Sequence, residues 1–174
     1  MADANILFTE HRDDVFRYLR RIVGEAEAAR DLTQEVFLRV ARTAVPAATD
    51  VERRAWVFKI ARNLALNHLR DGRRRPETTE PFEQATPATQ ELAVTLQSAL
   101  DGLPSLERDV FLMRETAGLS YDEIARACEM TVEAVRARLH RARMQLRTTL
   151  GGSIGQQLAR GVRIGQRDGR GSHD

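Results

Sequence analysis

The segment "TVEAVRARLHRARMQLRTTL", from Thr131 to Leu150, sets five arginines against one glutamate. Arginine carries a planar fork of donors that matches the acceptors of a guanine edge and the oxygens of a phosphate. Chemistry of this kind is recognition rather than bond-making. On a helix turning about 100° per residue, Val132, Val135, Leu139, Ala142 and Leu146 form one apolar stripe. The opposite face presents Glu133, Ala137, His140, Arg141 and Met144, with Arg136, Arg138 and Arg143 on its flanks. Small Ala137 would let such a helix approach base edges closely.

The residues just before this segment position it. In "LSYDEIARACEM" Ser120 and Glu123 stand at capping-box spacing, so a helix starts there, with Tyr121, Ile124 and Ala125 inward. The pattern breaks at "CEM", and Thr131 caps the next helix. Two short helices joined by a tight turn make a helix-turn-helix, whose second helix enters the DNA major groove. The competing reading is a helical hairpin with merely solvated arginines. The capped first helix, the short turn and the basic bias favour DNA.

Helical periodicity dominates the rest of the chain. The spacing predicts a first helix over Ile6–Val23, with Phe8, Val15, Tyr18, Leu19 and Ile22 inward and Gly24 as its stop. A second covers Ala26–Arg42 and buries Leu32, Val36, Phe37 and Val40; "TAVPAATD" reads as a loop. A third spans Val51–Arg70 with Trp56, Ile60 and Leu64, and "DGRRRP" closes the unit. Further helices are expected over Glu91–Leu103 and Leu106–Thr116, with Gly118 as a stop. The fold class is therefore all-α: two small helical domains joined by a flexible linker, the C-terminal one containing the helix-turn-helix. Residues 1–76 form the first domain, 77–94 the linker, 95–150 the second domain, and 151–174 a Gly/Arg-rich disordered tail.

Of 174 residues, 42% are hydrophobic and 30% charged, as in globular proteins. The net charge of +2 hides a segregation. Lys59–Pro76 and Thr131–Leu150 are basic, whereas Glu77–Glu91 carries four glutamates and no cation. A single cysteine, Cys128, excludes an internal disulfide and suits a reducing compartment. No apolar run reaches a membrane span and no signal-peptide pattern is present, so the expected location is cytoplasmic. The histidines (His11, His68, His140, His173) are scattered, and no phosphate-binding glycine loop or nucleophile motif occurs. Neither an enzyme nor a cofactor is expected, and no metal. Cys128 falls in the helix-turn-helix turn, a place for a small buried residue or, less simply, for a redox sensor.

"LPSLERDVFLMRETAGLSYDEIARAC" followed by "TVEAVRARLHRARMQLR" resembles the promoter-reading C-terminal domain of extracytoplasmic-function (ECF) sigma factors of the sigma-70 family. "ARDLTQEVFLRV" resembles their polymerase-binding helix, and "RAWVFKIARNLALNHLRDGRRR" their promoter-melting helix. The resemblance runs from about Phe8 to Leu150. It implies a factor that binds core RNA polymerase and directs initiation by recognising minus-35 and minus-10 elements, under control of an anti-sigma factor. It further implies that Thr131, Glu133, Arg136, Ala137, Arg138, His140, Arg141 and Arg143 face the minus-35 element. Asp31, Gln34, Glu35, Leu38 and Arg39 would meet the polymerase clamp. At the minus-10 element Asn63 and Asn67 would read base edges, while Lys59, Arg62, Arg70 and Arg73 hold phosphates. Trp56 is either core or wedge. The acidic linker either imitates phosphates in a polymerase channel or is a charged spacer. The Gly/Arg tail departs from the family pattern.

The alternative is a conventional helix-turn-helix regulator that binds operators without polymerase, its first domain a sensor or dimerisation unit. A third class is a helical interaction protein that never touches DNA. The "DLTQEVFLRV" block and the basic third helix separate the first two, because a sensor needs neither. The promoter reading also requires two loosely tethered modules with their arginine faces open. Arg141→Ala should weaken recognition of the upstream element by roughly 1–3 kcal/mol, the worth of a bidentate base contact. Binding titrations on matched and mismatched promoters check this, and an unchanged preference contradicts it.

Overall fold

The computed structural model describes residues 2–45, 49–71 and 87–151. Among them are seven helices and no strand: α1 (Ala2–Val23), α2 (Ala26–Arg42), α3 (Asp50–Arg70), α4 (Pro87–Asp101), α5 (Ser105–Glu115), α6 (Tyr121–Ala127) and α7 (Val132–Leu150). The expected all-α class and the C-terminal helix-turn-helix are both present. Residues 77–86 of the acidic stretch, residues 152–174 of the tail and Arg73 lie outside the described residues.

Local chemistry sets the helix ends. Gly24 stops α1 at φ 85°, a left-handed conformation open to glycine without a Cβ clash. Thr49 and Glu52 form a capping box at the start of α3, as Ser120 and Glu123 do for α6. Thr131 caps α7 through its hydroxyl, which accepts from the Ala134 N–H at 3.1 Å. The α6–α7 turn closes as a Schellman motif. The Met130 N–H donates to the Ala125 carbonyl at 2.9 Å and the Glu129 N–H to that of Arg126 at 3.4 Å. Glu129 takes the left-handed position at φ 55°, usually a glycine's place.

The first half packs α1, α2 and α3 around Val15, Tyr18, Leu19, Ile22, Val36 and Phe58. Tyr18 meets Phe58 edge to face, with centroids 5.8 Å apart. The second half packs α4, α5 and α6 onto α7, whose buried stripe is Val135, Leu139, Ala142 and Leu146. Two expectations need correction. Phe8 is 41% exposed and rests edge-on against Phe37, while Leu7 takes the inward place. Helix α4 starts at Pro87, inside the stretch read as linker to residue 94. Proline is suited to a first helical position, and the alanine-rich residues after it are good helix formers.

The halves are in contact along a seam where α3 packs on α6 and α1 on α5. Arg62 pairs with the buried carboxylate of Asp109 at 2.8 Å, and the Tyr18 hydroxyl approaches its other oxygen at 3.4 Å. Arg54 reaches Asp14 at 3.1 Å, Glu123 at 3.4 Å and the Ala117 carbonyl at 2.6 Å. Lys59–Glu129 at 2.7 Å and Arg126–Glu52 at 3.1 Å lie at the exposed rim. Such rim pairs contribute little. Burial lifts the Asp109 carboxyl above its usual range, with Arg62 pulling the other way. Burial would lower Arg62, but Asp109 outweighs it and holds the guanidinium above its usual value.

Asp109→Ala would strand a half-buried guanidinium, costing about 2–3 kcal/mol, modest for a broken buried pair because Arg62 keeps some water. Urea unfolding checks this, and an unchanged midpoint contradicts it. On α1 beside the seam, burial pushes His11 down from its ordinary value of 6.5; Arg54 adds to this, and Glu10, Asp14 and Glu123 oppose it. A histidine lowered in the fold contributes stability above its unfolded pKa and loses it as pH falls toward the folded one. His11→Gln should therefore flatten the fall in Tm between about pH 7 and pH 5; an equal fall in both proteins contradicts the assignment.

Candidate nucleic-acid interface

Helix α7 buries its apolar stripe and turns the opposite face to solvent. Thr131, Glu133, Arg136, Ala137, His140 and Arg141 are exposed, and Met144 is 45% exposed. The small residue is thus flanked by long polar ones, the arrangement that lets a helix sit deep in a groove. The cations are not loose. Arg136 lies over the Tyr121 ring at 5.8 Å, as does Arg114 at 5.1 Å. Arg143 pairs with Glu115 at 2.7 Å. Arg138 and Arg141 both reach the same Glu107 oxygen, at 3.0 Å and 3.1–3.2 Å.

The predicted minus-10 residues divide. Asn63 and Asn67 on α3 are exposed, and Arg70 donates to the Asn67 side-chain oxygen at 2.7 Å. Lys59 and Arg62 instead point into the seam, onto Glu129 and Asp109. Trp56 is half-buried and packs against the core. The open arginine faces required by the sequence reading are therefore present on α7 and only partly on α3.

On α2 the expected polymerase-facing residues form one outer surface. Asp31, Gln34, Leu38 and Arg39 are exposed, Leu38 by 48%, and Glu35 pairs with Arg39 at 2.8 Å one helical turn away. Beside them runs a shallow groove lined by Glu25, Glu27, Ala28, Asp31, Leu32, Glu35 and His68. Its character is acidic with a small apolar floor. Among the described residues no cluster of three or more His, Cys, Asp or Glu could hold a metal ion. Cys128 has its thiol pushed up to about 12, chiefly by burial, and lies 3.7 Å from the Met113 sulfur. Burial of this kind disfavours the thiolate. No described helix is long and apolar enough to cross a membrane.

Sequence reasoning missed four partners: Arg54, Glu107, Asp109 and Glu129. The "LERD" run looks like the polar side of an amphipathic helix, yet Glu107 and Asp109 are buried. Their burial depends on cations 31 to 47 residues away. Only the match between buried acids and paired arginines could have flagged them, and that needs the fold.

Residues 7–75 match the sigma-70 region 2 family model and residues 93–146 match sigma-70, region 4. The chain is 36% identical to the ECF RNA polymerase sigma factor SigE of Mycolicibacterium smegmatis over 155 residues, which covers 83% of the chain but only 60% of that relative. It is 32% identical to SigL of Mycobacterium tuberculosis over 159 residues, 83% of the chain and 86% of SigL. The sigma factor RpoE of Bartonella quintana, solved with the anti-sigma factor NepR, shares the fold. Its TM-score is 0.66 at 19% identity, over 86% of this chain and 98% of that one. Both halves of the molecule thus carry the family's two regions in the family's order, and the chain belongs to the ECF sigma factors of the sigma-70 family.

Proposed function

We propose that the chain is an alternative sigma factor: it binds core RNA polymerase in the cytoplasm, directs it to promoters, and catalyses nothing itself. The observation that carries this reading is the pair of outward faces in separate halves, arginine-rich on α7 and acidic beside α2. One suits a phosphate-lined groove; the other suits a basic surface of a protein partner. Residues 95–150 read the minus-35 element through α7. Residues 1–76 bind polymerase through Asp31, Gln34, Glu35, Leu38 and Arg39, and engage the minus-10 element through α3. The stretch 77–94 connects them, its C-terminal part already helical.

The seam adds a condition. Lys59 and Arg62 face carboxylates of the second half, so contact with promoter phosphates requires exchanging one set of anions for the other. Engagement of the minus-10 element therefore accompanies separation of the halves. An anti-sigma factor, of the kind seen on RpoE, would act by keeping these surfaces from polymerase. Nothing in the geometry favours a stand-alone operator binder, for which the α2 face has no use.

Asp31→Arg combined with Glu35→Arg reverses the charge of the α2 surface without touching a buried group. Co-elution with core polymerase should fall at least tenfold and promoter-dependent transcription with it, while the helical circular dichroism stays unchanged. Undiminished co-elution would remove α2 as the docking surface.

A further inference from the structure

Glu107 sits in the first turn of α5, is 8% exposed, and belongs to no surface that meets polymerase or DNA in the reading above. Its Oε1 nevertheless accepts from Nη1 of Arg138 at 3.0 Å and from both Nε and Nη2 of Arg141 at 3.2 and 3.1 Å. Those arginines stand three residues apart on α7, where two unneutralised guanidiniums would repel each other and move among many rotamers. The carboxylate binds Arg141 side-on, along its Nε–Nη2 edge. That leaves the end-on Nη1–Nη2 fork, the edge that matches the O6 and N7 acceptors of a guanine. The Arg141 side chain is still 55% exposed, so the fork is open to a ligand, whereas Glu107 is not.

We propose that Glu107 is a positioning residue for promoter reading: from within α5 it holds Arg138 and Arg141 in the orientation that reads bases and withholds one unit of charge from the phosphates. Two functions separate on this account. Orientation confers discrimination between sequences, and charge confers sequence-independent affinity. A carboxylate that shares one oxygen between two arginines raises the first at the expense of the second. The inference rests on α7 being the helix that reads the upstream element.

The test uses holoenzyme assembled from core polymerase and the full chain, on promoter DNA with an intact or a scrambled upstream element. Glu107→Gln keeps the shape and one acceptor oxygen but removes the charge. It should lower the intact-to-scrambled affinity ratio by about tenfold, without lowering affinity for scrambled DNA. The slope of log affinity against log salt should steepen by up to about one. Glu107→Asp keeps the charge but is too short to hold both guanidiniums. It should also lose discrimination, with the salt slope unchanged. Arg141→Ala should then cost less discrimination in the Glu107→Gln background than in the wild type, the non-additivity of groups that act as one. A structural role alone would lower Tm and weaken binding to both DNAs in proportion, and that pattern overturns the proposal. So does wild-type discrimination in both Glu107 variants. If the wild-type holoenzyme does not distinguish the two DNAs, the reading of α7 falls first, and this inference with it.

Discussion

A carboxylate buried at the contact between two small helical domains is costly unless a cation meets it there. Asp109 is such a group, and Arg62 and Tyr18 from the other half meet it. Because its side chain is only 3% exposed, water cannot substitute for these partners. Around this pair the rest of the seam falls into place: Arg54 ties α3 to Asp14 within its own half and to Glu123 and the Ala117 carbonyl across it. The capping box of α6 is drawn in as well, since Glu123 serves both the Ser120 N–H and Arg54. One residue thereby links the start of the first helix of the helix-turn-helix to the opposite domain.

The seam gives the arginines of this protein two kinds of partner. On α7, Arg138, Arg141 and Arg143 lean on carboxylates of their own half, Glu107 and Glu115, and Arg141 keeps a face in solvent. On α3, Arg62 leans on a carboxylate of the other half and is largely turned away from solvent, while Arg70 stays exposed beside Asn67. For ligands that are polyanions this difference matters. On the proposed reading, the α7 face meets a groove as it stands, whereas Lys59 and Arg62 of α3 first release Glu129 and Asp109. Ion pairs suit such a joint, because incoming phosphates replace carboxylates as partners of the cations while separation of the halves returns Asp109 to water. The strained position of Glu129 at φ 55°, where glycine would be cheaper, belongs to this joint through its bond to Lys59.

Much of the architecture was legible from local rules. The α2 limits follow from apolar spacing and Gly24, and the Ser120–Glu123 and Thr131 caps from residue type alone. The solvent face of α7 followed from the helical angle. What local rules could not reach was set by distant partners. Phe8 looked like core because it is aromatic, but its Phe37 partner holds it at the edge of the domain. Glu107 and Asp109 looked like surface because they are charged, and both are buried by arginines of other helices. The seam between the halves was equally out of reach, since sequence says that two modules can separate and not whether their surfaces fit.

The central claim is that α3 exchanges the carboxylates of its own chain for promoter phosphates when the factor works. The distance between α3 and α6 reports that exchange directly. With Cys128 replaced by serine and cysteines placed at exposed Val51 and Asp122, fluorescence energy transfer reads it in the free chain and in transcribing holoenzyme. The account predicts high transfer in the free chain and its loss on an open promoter complex. High transfer retained in an actively initiating complex would contradict it.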